Sequence, residues 1–115
     1  MIWTLEEKGL RAATQAAIAE AALVAVSAVT AWEIALKQNL GKLRPPVPDV
    51  LSELAARDYT LLPITPEHAW AGGALPLHHR DPFDRILVAQ AQLEGMTIVT
   101  RDPKIARYQV AVMPA

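Results

Sequence analysis

At 115 residues the chain has the size of one domain, spanning 1–115, and can bury roughly two-thirds of its unfolded surface without disulfides or structural metals. Eleven Lys and Arg against twelve Asp and Glu leave a net charge of −1, which supplies no overall attraction to nucleic acid; any RNA binding has to be local. The absence of cysteine fits a reducing cytoplasm and excludes thiolate metal sites, so carboxylates and three histidines are the ligands on offer. Residues 8–28 have a faint secretory look, but Glu20 interrupts the apolar run and Glu6 and Glu7 crowd its supposed positive end. No apolar stretch approaches the roughly 20 residues that span a bilayer, so a soluble, cytoplasmic protein with no membrane partner is expected.

In chain order, the alanine-rich residues 6–22 place Leu10, Ala13, Ala17 and Ala21 at helical spacing. Val24-Ala25-Val26 follows as a short buried strand. Residues 30–40 read as a second helix, with Trp32, Leu36 and Leu40 as its core stripe and Gly41 as its stop. Residues 44–48, rich in proline, form a stiff connection. Asp49 can cap a helix over 50–57, a strand is expected over 60–64, and Thr65-Pro66 opens a helix over 67–71 that Gly72-Gly73 ends.

The most informative segment comes next. Asp81 precedes Pro82, a residue suited to a first helical position, and can cap the exposed backbone N–H groups of a helix running toward Gly95. On that helix Asp84 shares a face with Leu87, Val88 and Ala91, the side expected to pack inward. A strand over 96–100 and a last one over 109–113 complete the chain. The alternation of strands and helices predicts an α/β domain, a three-layer α/β/α stack around a mostly parallel sheet, with ligands gathering at the carboxyl ends of its strands.

Glu33 and Asp102 both fall on that edge, Glu33 early in the helix after one strand and Asp102 directly after Thr97-Ile98-Val99-Thr100. Each acid also has a purely structural explanation. Thr30-Ala31-Trp32-Glu33 matches a capping box, Glu33 and Lys37 form an i, i+4 pair, Asp102 precedes Pro103 in a turn, and Asp81 and Asp84 complement a helix dipole. If Glu33, Asp84 and Asp102 converge to about 5 Å, each pair repels by about 3 kcal/mol at an effective dielectric near 20. A hard divalent cation, Mg2+ or Mn2+, relieves that cost and can activate water against a phosphodiester.

Three segments in this order resemble the PIN-domain family, and within it the VapC-like toxins of bacterial toxin–antitoxin pairs. They are Val26-Ser27-Ala28-Val29-Thr30-Ala31-Trp32-Glu33-Ile34, Asp81-Pro82-Phe83-Asp84-Arg85 and Val99-Thr100-Arg101-Asp102. Leu40-Gly41-Lys42-Leu43 and Ile105-Ala106-Arg107-Tyr108 fit the same subfamily, so the resemblance covers residues 24–110. It implies a magnesium-dependent endoribonuclease toxin, homodimeric, that cuts structured RNA and is silenced by a cognate antitoxin. Carried over, Glu33, Asp84 and Asp102 are the catalytic and metal-site acids, joined by Asp81. Ser27 and Thr100, at strand ends, are candidates to orient them, though either also fits turn chemistry.

The family's first strand ends in an aspartate within an Asp-Thr-His motif followed shortly by tryptophan, and this sequence has no such aspartate. Met1-Ile2-Trp3 resembles the tail of that motif, so the central strand is expected to be missing or incomplete, the start truncated or misassigned, and activity impaired. The strands matching 24–26 and 96–100 are then expected either to pair directly or to leave a gap with exposed edges.

Arg80, Arg85, Arg101 and Lys104 cluster in sequence around the site and are candidate RNA contacts; a solvated face balanced by neighbouring acids is the plainer alternative. His78 and His79 lack metal-site spacing to a third ligand, and Trp3, Trp32 and Trp70 read as core or interface residues. A non-catalytic PIN-like module that binds RNA or an antitoxin is the second reading. A receiver-like phosphotransfer domain is a third, and the acidic pair and phosphoacceptor it requires are not visible.

Overall fold

The computed structural model describes residues 2–3, 24–42, 50–56, 59–77, 80–100 and 102–114. Five parallel strands form one sheet in the order β3-β2-β1-β4-β5. They are β1 (Ile2–Trp3), β2 (Ala25–Ser27), β3 (Thr60–Leu62), β4 (Ile98–Thr100) and β5 (Val112–Pro114). Among the described residues four α-helices connect or flank them: α1 (Ala28–Asn39), α2 (Val50–Ala56), α3 (Pro66–Ala74) and α4 (Pro82–Glu94). A 3-10 turn covers Ile105–Arg107. No helix among the described residues is long and apolar enough to cross a membrane. The helix expected over 6–22 and the connection over 44–48 lie outside the described residues.

Among the described residues the central strand consists of Ile2–Trp3, and the residues on either side of it lie outside them. Yet β2 and β4 neither pair directly nor leave a gap, because β1 lies between them. Ile2 is in register with Ala25 on one side and Ile98 on the other, and Trp3 with Val99. Strands β2 and β4 are buried at every position, as a parallel sheet covered by helices requires.

The core joins Ala25, Val29, Ile98, Ile105 and Tyr108 to Leu87, Val88 and Ala91 of α4. These three residues of α4 are the face predicted to turn inward, and each large aliphatic among them contributes about 1.5–3 kcal/mol by leaving water. Helix α4 begins and ends as its sequence dictates. Asp81 Oδ1 accepts from the Phe83 and Asp84 amides at 2.9 and 3.3 Å, and Gly95 closes the helix with φ 64°.

Helix α1 departs from expectation at its start and on its face. Ser27 caps it, accepting from the Val29 amide at 3.1 Å, so Thr30 lies inside the helix rather than at its cap. The helix buries Val29 and Thr30 and turns Trp32, Leu36 and Leu40 outward at 57%, 43% and 57% exposure, so the anticipated core stripe is a surface stripe. Gly41, with φ 70°, lies just beyond the helix.

Helix α3 runs through the two glycines expected to stop it. Gly72 is buried where a Cβ would stand 3.4 Å from the Arg85 carbonyl oxygen and from Ile86 Cα, so its lack of a side chain lets α3 lie close against α4. A Cβ on Gly73 meets nothing within 4 Å. Gly73→Ala is therefore expected to raise the melting temperature, gaining up to about 1 kcal/mol of helix propensity, while Gly72→Leu lowers it by forcing the helices apart. Thermal unfolding of the two variants checks this, and equal shifts in one direction would contradict it.

Candidate functional site

The carboxyl ends of β2 and β4 deliver Glu33 and Asp102, and the start of α4 adds Asp84. Strand β2 passes directly into α1, which carries Glu33 half-buried near its start, and the first turn of α4 carries Asp84, also half-buried. Trp32 and Phe83, each the residue preceding an acid, meet with ring centroids 4.8 Å apart and planes tilted 58°. This contact, not anticipated from the sequence, brings the starts of α1 and α4 together.

The electrostatics of Glu33 record that approach. Burial pushes its carboxyl above the ordinary glutamate value of 4.5, the negative charges of Asp84 and then Asp81 push it further, and Lys37 one turn along draws it back down. Glu33, Asp84 and Asp81 thus share one neighbourhood. Asp81 is exposed and engaged in capping α4.

Asp102 stands on the segment after β4. Its backbone amide donates to the hydroxyl of buried Thr100 at 3.1 Å, and its Oδ1 accepts from the Lys104 amide at 2.9 Å, opening the 3-10 turn. Thr100 therefore orients the backbone of Asp102, as Ser27 orients the start of α1. Among the described residues no three His, Asp or Glu side chains lie close enough together to hold a metal ion. The donor chemistry nonetheless fits a hard cation, since magnesium keeps several waters and needs only one or two protein carboxylates, which Glu33 and Asp84 would be the residues to supply.

The basic residues divide. Arg80 and Lys104 are exposed beside the acids, and Arg101 lies outside the described residues. Arg85, expected at an RNA surface, is buried, and its guanidinium donates to the carbonyls of Gly73, Leu75 and Pro76 at 3.2, 2.8 and 3.0 Å. It therefore caps the end of α3, where a cation also suits the helix dipole.

A second polar cluster had no signal in the sequence. His68 Nδ1 accepts from the Thr65 amide at 3.0 Å while Thr65 Oγ1 accepts from the His68 amide at 3.1 Å, a capping box with histidine in the usual glutamate place. That leaves Nε2 to donate to Glu94 Oε1 at 2.9 Å, and Gln90 Nε2 donates to the Pro63 carbonyl at 3.2 Å. Together these bonds fasten α3 to α4.

The sequence matches the PIN-domain family over residues 1–111. This chain is a PIN domain. It is 34% identical over 110 residues to Ribonuclease VapC22 of Mycobacterium tuberculosis (strain ATCC 25618 / H37Rv), an alignment covering 93% of this PIN domain and 84% of that protein. In fold it is similar to a toxin-antitoxin complex from Klebsiella pneumoniae, with TM-score 0.69 and 21% identity over 98% of this chain and 95% of that one. FitAB bound to an IR36 DNA fragment is likewise similar, with TM-score 0.64 and 23% identity over 98% and 94%. The VapC-like PIN fold inferred from the three motifs is thereby shown.

Because folding raises the Glu33 pKa, ionising this carboxyl disfavours the native state. The penalty is absent below about pH 4.5, grows as pH rises through the folded-state value and is full above it. In metal-free buffer, Glu33→Gln is expected to melt higher than the parent protein at pH 7, with the difference shrinking toward pH 4. A gain that is the same at both pH values would show that charge is not its origin.

Proposed function

We propose that this PIN domain is an endoribonuclease toxin of a toxin–antitoxin pair, hydrolysing RNA phosphodiesters with the help of Mg2+ or Mn2+. The observation that carries the reading is the Trp32–Phe83 contact, which joins the helix starts bearing half-buried Glu33 and Asp84, and the raised Glu33 carboxyl agrees with it. Acids held together against their own repulsion at the carboxyl edge of a parallel sheet are arranged for a cation. The 34% identity to a protein named a ribonuclease supports the activity, and PIN ribonucleases generally use divalent metals.

Glu33 and Asp84 would hold the cation, with Asp81 beside them and Asp102 contributing from the turn after β4. When bound, the cation supplies positive charge that neutralises the acids and polarises the phosphodiester. Glu33, which takes up a proton more readily than an ordinary glutamate, is suited to accept one from the attacking water at its carboxylate. The water oxygen bonds to phosphorus, the bond to the leaving sugar oxygen breaks, and that oxygen takes a proton from solvent. Exposed Arg80 and Lys104, with Arg101, would draw the RNA backbone toward the acids. Ser27 and Thr100 keep the two strand ends in place.

The rival, a non-catalytic module that binds RNA or an antitoxin, draws on the absence of a three-acid cluster among the described residues. Cleavage of labelled structured RNA in Mn2+ separates the two. The enzyme reading expects cutting that Asp84→Asn lowers by at least about 100-fold. Binding without cutting, unchanged in Asp84→Asn, establishes the module.

The antitoxin partner draws support from the toxin-antitoxin complex among the structural neighbours. An apolar groove lined by Ala28, Ala31, Leu51, Leu61, Leu62 and Pro63 is a surface for its apolar side chains. A homodimer would cover the outward stripe of α1 and Trp70 of α3, which is 83% exposed. Leu36→Glu is expected to halve the mass measured by light scattering in solution without changing the fold, and an unchanged dimer would place the contact elsewhere.

A further inference from the structure

Two side chains from distant parts of the chain meet on one backbone oxygen. The Pro76 carbonyl, between α3 and α4, accepts from Arg85 Nη1 at 3.0 Å and from the Tyr108 hydroxyl at 2.7 Å. Arg85 directly follows Asp84. Tyr108 closes the turn that Asp102 opens: Asp102 Oδ1 accepts from the Lys104 amide, Ile105–Arg107 form the 3-10 turn, and the Tyr108 amide donates back to the Ile105 carbonyl at 3.1 Å. The helix bearing Asp84 and the turn bearing Asp102 thus share one anchor.

Both anchoring side chains are buried although Pro76 itself is exposed, so each donor is largely withdrawn from water where it meets the shared carbonyl. The Tyr108 ring belongs to the hydrophobic core, which fixes where its hydroxyl points. Arg85 holds two further carbonyls, Gly73 and Leu75, so Pro76 sits in a segment gripped at three points. A shift of the turn relative to α4 would have to break a short phenol bond or drag this segment along.

We infer that Arg85 and Tyr108 are positioning residues that set Asp102 relative to Asp84 through the shared Pro76 carbonyl. The inference rests on the reading of these two acids as members of one metal site. It assigns Arg85, whose sequence position pointed to RNA, a role in building the site.

Tyr108→Phe is the decisive variant, because it removes the hydroxyl and leaves the core ring. It is expected to melt within a few degrees of the parent protein. In metal-free protein, exchange of the Lys104 amide, which Asp102 holds, should accelerate several-fold. Manganese affinity measured by calorimetry should fall about tenfold, and RNA cleavage should lose kcat with KM nearly unchanged. In an Asp102→Asn background the same change should cost no further affinity, because the hydroxyl acts through Asp102. Arg85→Lys, which keeps the charge and loses the fork, should reproduce the affinity loss.

Unchanged Lys104 exchange in Tyr108→Phe, or a full tenfold loss on top of Asp102→Asn, overturns the inference. Parent protein that takes up no manganese overturns the metal reading instead. The Lys104 exchange rate then still reports whether the hydroxyl holds the turn.

Discussion

Backbone pairing through Ile2 and Trp3 joins the two halves of the sheet, and the relations among the acids depend on it. On one side β2 leads into α1 and Glu33; on the other, β4 leads into the turn that carries Asp102. A parallel sheet has no hairpin to hold neighbouring strands together, so the distance between these halves is set by whatever strand stands between them. Here two residues do so, in register with Ala25, Ile98 and Val99. Glu33 and Asp102 lie on the two flanks of that central strand.

The packing of α3 on α4 is the second organising contact. Gly72 permits close approach, the Thr65–His68–Glu94 bonds fasten one end of α3, and Arg85 fastens the other. Because Asp81 caps α4 and Asp84 lies in its first turn, everything that steadies this pair of helices also steadies the acids. Polar groups buried in such a place rigidify when satisfied, and most here are; the Gln90 Oε1 and Thr30 Oγ1 atoms are the two buried side-chain oxygens among the described residues without a partner.

Legibility in the sequence followed how local the determining physics was. Helix α4 could be read from its cap to its last turn, since Asp81, Pro82, the Leu87-Val88-Ala91 face and Gly95 all act within a few residues of themselves. The alternation of strands and helices likewise revealed the α/β class, and the three short motifs revealed the family. What misled was tertiary. Trp32, Leu36 and Leu40 have core periodicity but lie on an outward face, Gly72-Gly73 has stop chemistry but lies within α3, where Gly72 serves packing, and Arg85 has the chemistry of a phosphate ligand but finds three carbonyls. His68 sent no signal at all, because a histidine beside Thr65 and Pro66 is ordinary until Glu94 is brought to its ring.

The register of the central strand also constrains when this protein can finish folding. Ile2 is made before its partner Ile98, which is added only after β2, β3 and helices α1 to α4 have been synthesised. Until Ile98 leaves the ribosome, one edge of the central strand has no native partner. Contacts of such sequence separation close slowly, because the loop entropy is lost before the pairing rewards it. Asp102 emerges later still. The growing chain therefore passes through a stage in which Glu33 and Asp84 already exist but the sheet that aligns them does not.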